Sequence, residues 1–371
     1  MGGITRYIIR QIAGPLLFIT LTLTSVIWLT QSLRLLDRLI GNGLPFGSFM
    51  YLTGLLMPGL LAVILPIATF CAALYAYNRL TADSELVVMW AAGLSRTALS
   101  RPALIIGGIV TALGYVLVLW LIPYSAGTFR TTQYEFRTNL ANLLIQEGEF
   151  NTPVPGLTVY VRERLPNGEM LGLLVHDNRE AQRPITMMAE RGALIRTPQG
   201  PRFVLVNGNR QQIEQDREHL SLLYFDSYTL DLDAFTKNDG EGWRQPNERY
   251  IHELLWPNTQ IADDRINYWR LVVQGHRNLA QPIYVVALVL IALAATLAAE
   301  FNRRGQAARL IGAVAAAIAL QVLGLGVAFL AGRWPWLIPL IYLNPLGFAI
   351  AGAYLLLSHR RRPIPEFATA A

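Results

Sequence analysis

Of the 31 basic residues in this 371-residue chain only one, Lys237, is a lysine. A P-loop needs a lysine directly after its glycine to reach the β and γ phosphates of a nucleotide. Lys237 follows Phe235 and Thr236, so the chain is not itself a P-loop ATPase, and any nucleotide energy must come from a partner. Cysteine is equally scarce: Cys71 stands alone, which rules out an intrachain disulfide. The histidines show no metal-ligand spacing. His252-Glu253 opens HELLW without the second histidine of a zinc helix, and His176, His219, His276 and His359 are scattered. Gly93-Leu94-Ser95 lacks the closing glycine of a nucleophile elbow and reads as a helix stop and turn. No catalytic group, metal or cofactor is expected.

Charge is missing in another way. Ile12 to Leu33, Phe49 to Tyr77, Pro102 to Pro123, Pro282 to Ala299, Leu310 to Leu330 and Trp336 to Leu357 contain no Asp, Glu, Lys or Arg. A hydrocarbon core about 30 Å thick takes about 20 helical residues to cross, so these six stretches read as membrane spans. Arg6, Arg10, Arg79, Arg96, Arg101, Arg303, Arg304, Arg309, Arg360, Arg361 and Arg362 fall on one set of short segments, against Arg34, Arg38 and Arg333 on the other. Positive charge stays inside, so both termini are expected in the cytoplasm and the segment between the third and fourth spans outside. The first helix lacks a small-residue cleavage site and serves as an uncleaved signal. The net charge of +6 calls for no nucleic acid, because the outer segment from Tyr124 to Gln281 holds 17 basic against 20 acidic residues and the excess sits in the inside loops.

The outer segment changes period from helical to two. LTVYVRER (Leu157 to Arg164) and MLGLLV (Met170 to Val175) form a hairpin across Pro166-Asn167-Gly168-Glu169, and a further turn falls at Pro198-Gln199-Gly200-Pro201. Ser227 to Asp233 alternates, with Tyr228, Leu230 and Leu232 on one face. About eight short strands in a jelly-roll-like or open sandwich are expected, with a pairing order that the pattern leaves open. Asn247 to Trp256 and Ala262 to Ala280 read as helices leading back to the membrane. The fold class is thus an α-helical membrane protein of six spans with an inserted all-β domain. Residues 1–123 hold the first three spans, 124–281 the β domain with helical connectors, and 282–371 the last three spans and a tail.

Between the second and third spans lies TADSELVVMWAAGLS (Thr81 to Ser95). Thr81 can cap a short helix, Asp83 and Glu85 suit its first turn, and Gly93 its left-handed end. Leu86, Met89, Trp90 and Gly93 follow at i, i+3, i+4 and i+7, an apolar stripe with Glu85 near its edge. Helices lying on lipid are usually basic, whereas this one carries two acids, so the groove of a protein partner is the expected seat.

The three-plus-three layout around a β domain, the DSELVVMWAAGLS stretch and the run from His276-Arg277 to Pro282 resemble the lipopolysaccharide export permeases of the LptF/LptG (YjgP/YjgQ) type, over essentially the whole length. The resemblance implies a permease subunit of an ABC-type exporter. Such a subunit extracts lipopolysaccharide from the inner membrane of a Gram-negative bacterium and passes it to a periplasmic bridge. It implies pairing with a second such permease, two copies of the cytoplasmic ATPase LptB, and the single-span LptC. Thr81 to Ala92 becomes the coupling helix, with Glu85 as ATPase contact and Asp83, Leu86, Met89 and Trp90 beside it. Trp90 departs from the arginine or histidine often found there. MGGITRYIIRQI and SLRLLDRLIGNGLP look closer to the LptF branch.

For this substrate Arg34 and Arg38, at i and i+4 where the first span ends outside, are suited to phosphate. Tyr228, Leu230 and Leu232 would line a lipid path, since each methylene exposed to water costs about 0.8 kcal/mol. The competing reading is a membrane-anchored periplasmic enzyme or assembly factor whose sheet carries the activity. A permease for macrolides or lipoproteins fits less well, because its large domain follows the first helix.

Overall fold

The computed structural model describes residues 2–39, 46–141, 147–154, 156–165, 168–178, 184–197, 200–214, 219–231, 243–298 and 303–358. The chain divides into two compact units. One comprises 1–37, 49–127 and 244–371, the other 38–48 and 128–243.

The first unit is helical. Its elements are α1 (Gly3–Leu39), α2 (Phe46–Leu55), α3 (Met57–Ala82), α4 (Glu85–Ala91), α5 (Arg96–Val116) and, past a π-helical turn at Leu117–Leu121, the start of α6 (Ile122–Ala141); the end of α1, the first residues of α2 and α6 from residue 128 on fall in the second unit. After the sheet come α7 (Ile251–Leu255), α8 (Ala262–Ile266), α9 (Tyr268–Ala280), α10 (Ile283–Leu297), α11 (Arg303–Arg333) and α12 (Ile338–Ser358). Among the described residues five helical stretches are long and apolar enough to cross a membrane, and α9 with α10, bent by 44° at the break, pass the same test as a pair and give a sixth if the pair is one span. The bend falls at Pro282, which lacks the N–H that would continue the ladder. The second expected span also has a break, at Leu56 between α2 and α3.

α10 is the axis of this unit. Ala287, Val289, Leu293 and Leu297 are fully buried, as a helix apolar on every side must be when its neighbours are helices. Ala287 and Ala292 share a cluster with Ala73 of α3, Ala313 and Ala317 of α11, and Ala349 of α12. Small side chains bring the backbones close, which is how helices bind one another where lipid removes the hydrophobic drive. At Gly352 a Cβ would stand 3.0 Å from the Leu290 backbone. Polar contacts join the same helices: Asn344 Nδ2 donates to the Tyr284 hydroxyl at 3.0 Å and to the Leu320 carbonyl at 3.1 Å.

The connector from 243 to 267 is braced by charge. Arg249 donates through two nitrogens to the Asp264 carboxylate at 2.8 and 2.6 Å, with both side chains buried. Arg244 meets Glu253 at 2.8 Å, and the Tyr250 N–H donates to the same carboxylate at 3.0 Å. Burial raises the Glu253 pKa, but the Arg244 guanidinium and that N–H outweigh it and hold the group below its ordinary value. Sequence expected one helix over Asn247 to Trp256; the chain instead makes a 3-10 turn (Pro246–Glu248) and then α7.

The second unit holds a six-stranded antiparallel sheet in the order β1-β2-β3-β4-β5-β6. The strands are β1 (Phe150–Val154), β2 (Leu157–Arg164), β3 (Met170–Asp177), β4 (Ile185–Thr197), β5 (Gly200–Glu214) and β6 (His219–Asp231). The inserted β domain is therefore as expected in class, and the β2–β3 hairpin pairs as read, Leu157 with Asp177 through Arg164 with Met170. Its connectivity differs from a jelly roll. Every strand neighbours the next in sequence, a meander of six strands among the described residues where about eight short ones were expected, the last three being long.

The inward side chains do not keep a strict period of two. Met170 and Leu173, Ala189 and Gly192, Leu205 and Gly208, and Phe225 and Tyr228 are each three apart and lie opposite one another across β3 to β6. The pairing register holds while the alternation slips. The residues in the gap include Gly172 and Asn207, both at positive φ. A left-handed residue inside a strand turns the following side chain to the other face and bends the sheet. Leu157, Val159, Val161, Val175 and Met187 on one side of the slip therefore share a core with Met170, Phe203, Leu205 and Leu230 on the other.

Candidate functional site

The segment after α3 is built differently from the single capped helix expected over Thr81 to Ala92. Thr81 is the penultimate residue of α3, with its hydroxyl on the Tyr77 carbonyl at 2.8 Å, so it caps nothing. Asp83 closes α3 and pairs with Arg79 at 3.6 Å, an exposed i,i+4 contact of small worth. Ser84, at φ 61, reverses the chain into α4 without a side-chain cap. The exit is as read. The Gly93 N–H donates to the Trp90 carbonyl and the Leu94 N–H to the Met89 carbonyl, the paired bonds of a Schellman end, with Gly93 at φ 87. Ser95 then caps α5 by accepting from the Ala98 N–H.

The apolar stripe of α4 is covered by its own chain. Leu86 is fully buried in a cluster with Ile8 and Ile12 of α1, Leu80 of α3 and Leu99 of α5, and Met89 and Trp90 pack against it. The side left open presents Val87 and Val88. The pose is braced behind, where the buried Tyr77 hydroxyl donates to the Leu99 carbonyl at 2.6 Å. Glu85 does not wait bare in solvent. The Tyr7 hydroxyl lies 3.0 and 2.8 Å from its two oxygens, and Gln11 Nε2 donates to that hydroxyl at 3.1 Å. Sequence reasoning missed Tyr7, because nothing in the chain pattern joins residue 7 to residue 85; only α1 packing beside α4 does.

The remaining candidates lie elsewhere. Arg34 is exposed near the end of α1, and Arg38 follows one helical turn on; the side chain of Arg38 lies outside the described residues. Leu230 is buried in the sheet core and Tyr228 packs against it, while Leu232 lies outside the described residues. A groove of about 1160 Å³ is lined by another set, among them Tyr160, Leu174, Met188, Asn209 and Tyr224. These five are successive cross-strand partners and form one row. No group of three or more His, Cys, Asp or Glu among the described residues could hold a metal ion.

A bundle of membrane helices with an inserted antiparallel sheet, and a short acidic knuckle between its second and third spans, defines a membrane permease class. Residues 6–358 match the family described as lipopolysaccharide export system permease LptF/LptG, and the chain belongs to that family. It is a permease of lipopolysaccharide export, a membrane component of an ABC exporter without catalysis of its own. An uncharacterized protein of Rickettsia prowazekii is 30% identical over 302 residues, 81% of this chain and 83% of that one. The lipopolysaccharide export system permease protein LptF of Escherichia coli K12 is 24% identical over 271 residues, 70% of this chain and 74% of that one.

Proposed function

We propose that this chain is the LptF-like half of a permease pair in the inner membrane of a Gram-negative bacterium. In this reading both termini are cytoplasmic and the sheet is periplasmic. Its companions are a second permease, two copies of the ATPase LptB, and the single-span LptC. The arginine asymmetry of the short segments supports the orientation. The observation that carries the reading is α4: a helix of seven residues, seated on its own bundle by Leu86, with Val87 and Val88 turned outward and a carboxylate at its first turn. A rigidly backed knuckle of this kind transmits a push, whereas a loose amphipathic helix would absorb it. Asp83, Met89 and Trp90 flank the contact, and Glu85 meets a basic residue of the ATPase. At the other end of α1, Arg34 and Arg38 hold phosphates of the lipid, and the Tyr228, Leu230 and Leu232 face passes its acyl chains to the bridge.

Loss of one partner from a desolvated charged contact costs about 2 to 5 kcal/mol, more than tenfold in affinity. Glu85→Arg is therefore expected to release the ATPase during purification of the complex. Full recovery of the ATPase with that variant would remove Glu85 from the interface.

A further inference from the structure

Resting on that reading of α4, the contact between Tyr7 and Glu85 carries a further step. Tyr7 and Gln11 form one row on the first turns of α1 and Ile8 and Ile12 the neighbouring row, each pair at i and i+4. The two rows meet two consecutive residues of α4: Ile8 and Ile12 share the buried cluster of Leu86, and the Tyr7 hydroxyl reaches Glu85. Gln11 donates to the oxygen of that hydroxyl, which leaves its single proton for the carboxylate. The grip is polar on one row and apolar on the other, so it fixes the rotation of the foot of α1 as well as its distance from α4.

Above this foot α1 is covered only in part: Leu16 and Ile19 still pack against the same cluster and Ser32 is buried. Leu17, Phe18, Leu21, Val26 and Leu29 are all exposed, and α1 is far less buried than α3. Pro15 lies inside the helix just above the grip. Its missing N–H removes one bond of the ladder, but α1 runs unbroken from Gly3 to Leu39 across it. A turn of the foot is therefore carried into the span above it. From Tyr7 to Arg34 the helix rises about 40 Å, and a reorientation of about 5° moves the far end by about 3 to 4 Å.

We propose that Tyr7 is a positioning residue for transport: its hydroxyl latches the foot of α1 to Glu85, so that displacement of α4 by the ATPase reorients the helix that carries Arg34.

Tyr7→Phe is the test, since it keeps the ring and removes only the donor. In the full complex reconstituted in nanodiscs, lipopolysaccharide released per ATP hydrolysed is expected to fall by about threefold or more, a loss within reach of one hydrogen bond to a charged group. ATPase recovery and hydrolysis itself stay near wild type. Independently, spin labels at Gly2→Cys and Ala92→Cys in a Cys71→Ser background report the foot against α4 in the purified chain. Their distance distribution should broaden with Tyr7→Phe. Unchanged lipid release per ATP, or an unchanged distribution, overturns the latch. A wild-type complex that hydrolyses ATP yet moves no lipopolysaccharide overturns the transport reading instead, which keeps the two failures apart.

Discussion

α1 and α3 look alike in sequence and meet opposite fates. Both are long and apolar enough to cross a membrane, yet α3 is far more buried inside the protein than α1. Lipid tails and helix faces are equally apolar, so composition does not say which a side chain will meet. Small residues add a clue. The covered surface of α3 holds Ala62, Ala68, Ala72, Ala73 and Ala76 between larger residues such as Phe70 and Tyr77, whereas α1 turns Leu17, Phe18 and Leu21 outward. The difference separates a scaffold, made of α3, α10 and α12 drawn together on small residues, from an arm that leaves most of its surface open.

Perturbing the two sets should give unequal results, and the connector that leads into α9 gives the largest. Asp264→Ala leaves Arg249 buried without its carboxylate, at a cost of about 3 to 5 kcal/mol. A sharply lowered unfolding temperature in detergent checks it, and a shift within error would show that the pair is solvated. Gly352→Leu on the scaffold forces α12 off the Leu290 backbone and should cost about 1 to 3 kcal/mol. Leu21→Ala on the arm should change stability by less than about 0.5 kcal/mol. Equal losses from those two variants would erase the distinction between scaffold and arm.

The smallest effect is electrostatic. Because the folded Glu253 titrates below its ordinary value of 4.5, its contribution is complete above that value and is lost as pH falls through the lowered one. Unfolding temperature should therefore drop on acidification below about pH 4.5, and Glu253→Gln should flatten part of that slope. An identical slope in the variant would assign the acid sensitivity to other carboxylates.

Much of this architecture is legible in sequence, for identifiable reasons. A span without charge has one interpretation, and the hairpin from Leu157 to Met170 announces itself by alternation around a turn signal. α4 is harder. Thr81 offers a good cap, but its hydroxyl bonds within α3, and the reversal comes from a left-handed Ser84 that no propensity favours. That shift of three residues turns the stripe of Leu86, Met89 and Trp90 from a partner toward its own bundle. The sheet conceals its slip in the same way: Asn207 at φ 52 looks like any polar strand residue, and without it the inward set would be assigned to the wrong face beyond the bend. The grip of Tyr7 on Glu85 joins positions 78 apart, which only tertiary packing brings together.

On the proposed reading this chain moves lipopolysaccharide from the membrane into the sheet at the expense of ATP hydrolysed by a separate ATPase. Photo-crosslinking side chains placed at Arg34 and at Tyr228, in the complex reconstituted with lipopolysaccharide, test it most directly. Adducts are expected at position 34 without nucleotide and at position 228 only while ATP is being hydrolysed. Lipopolysaccharide transfer that proceeds at the wild-type rate with no adduct at either position would contradict it.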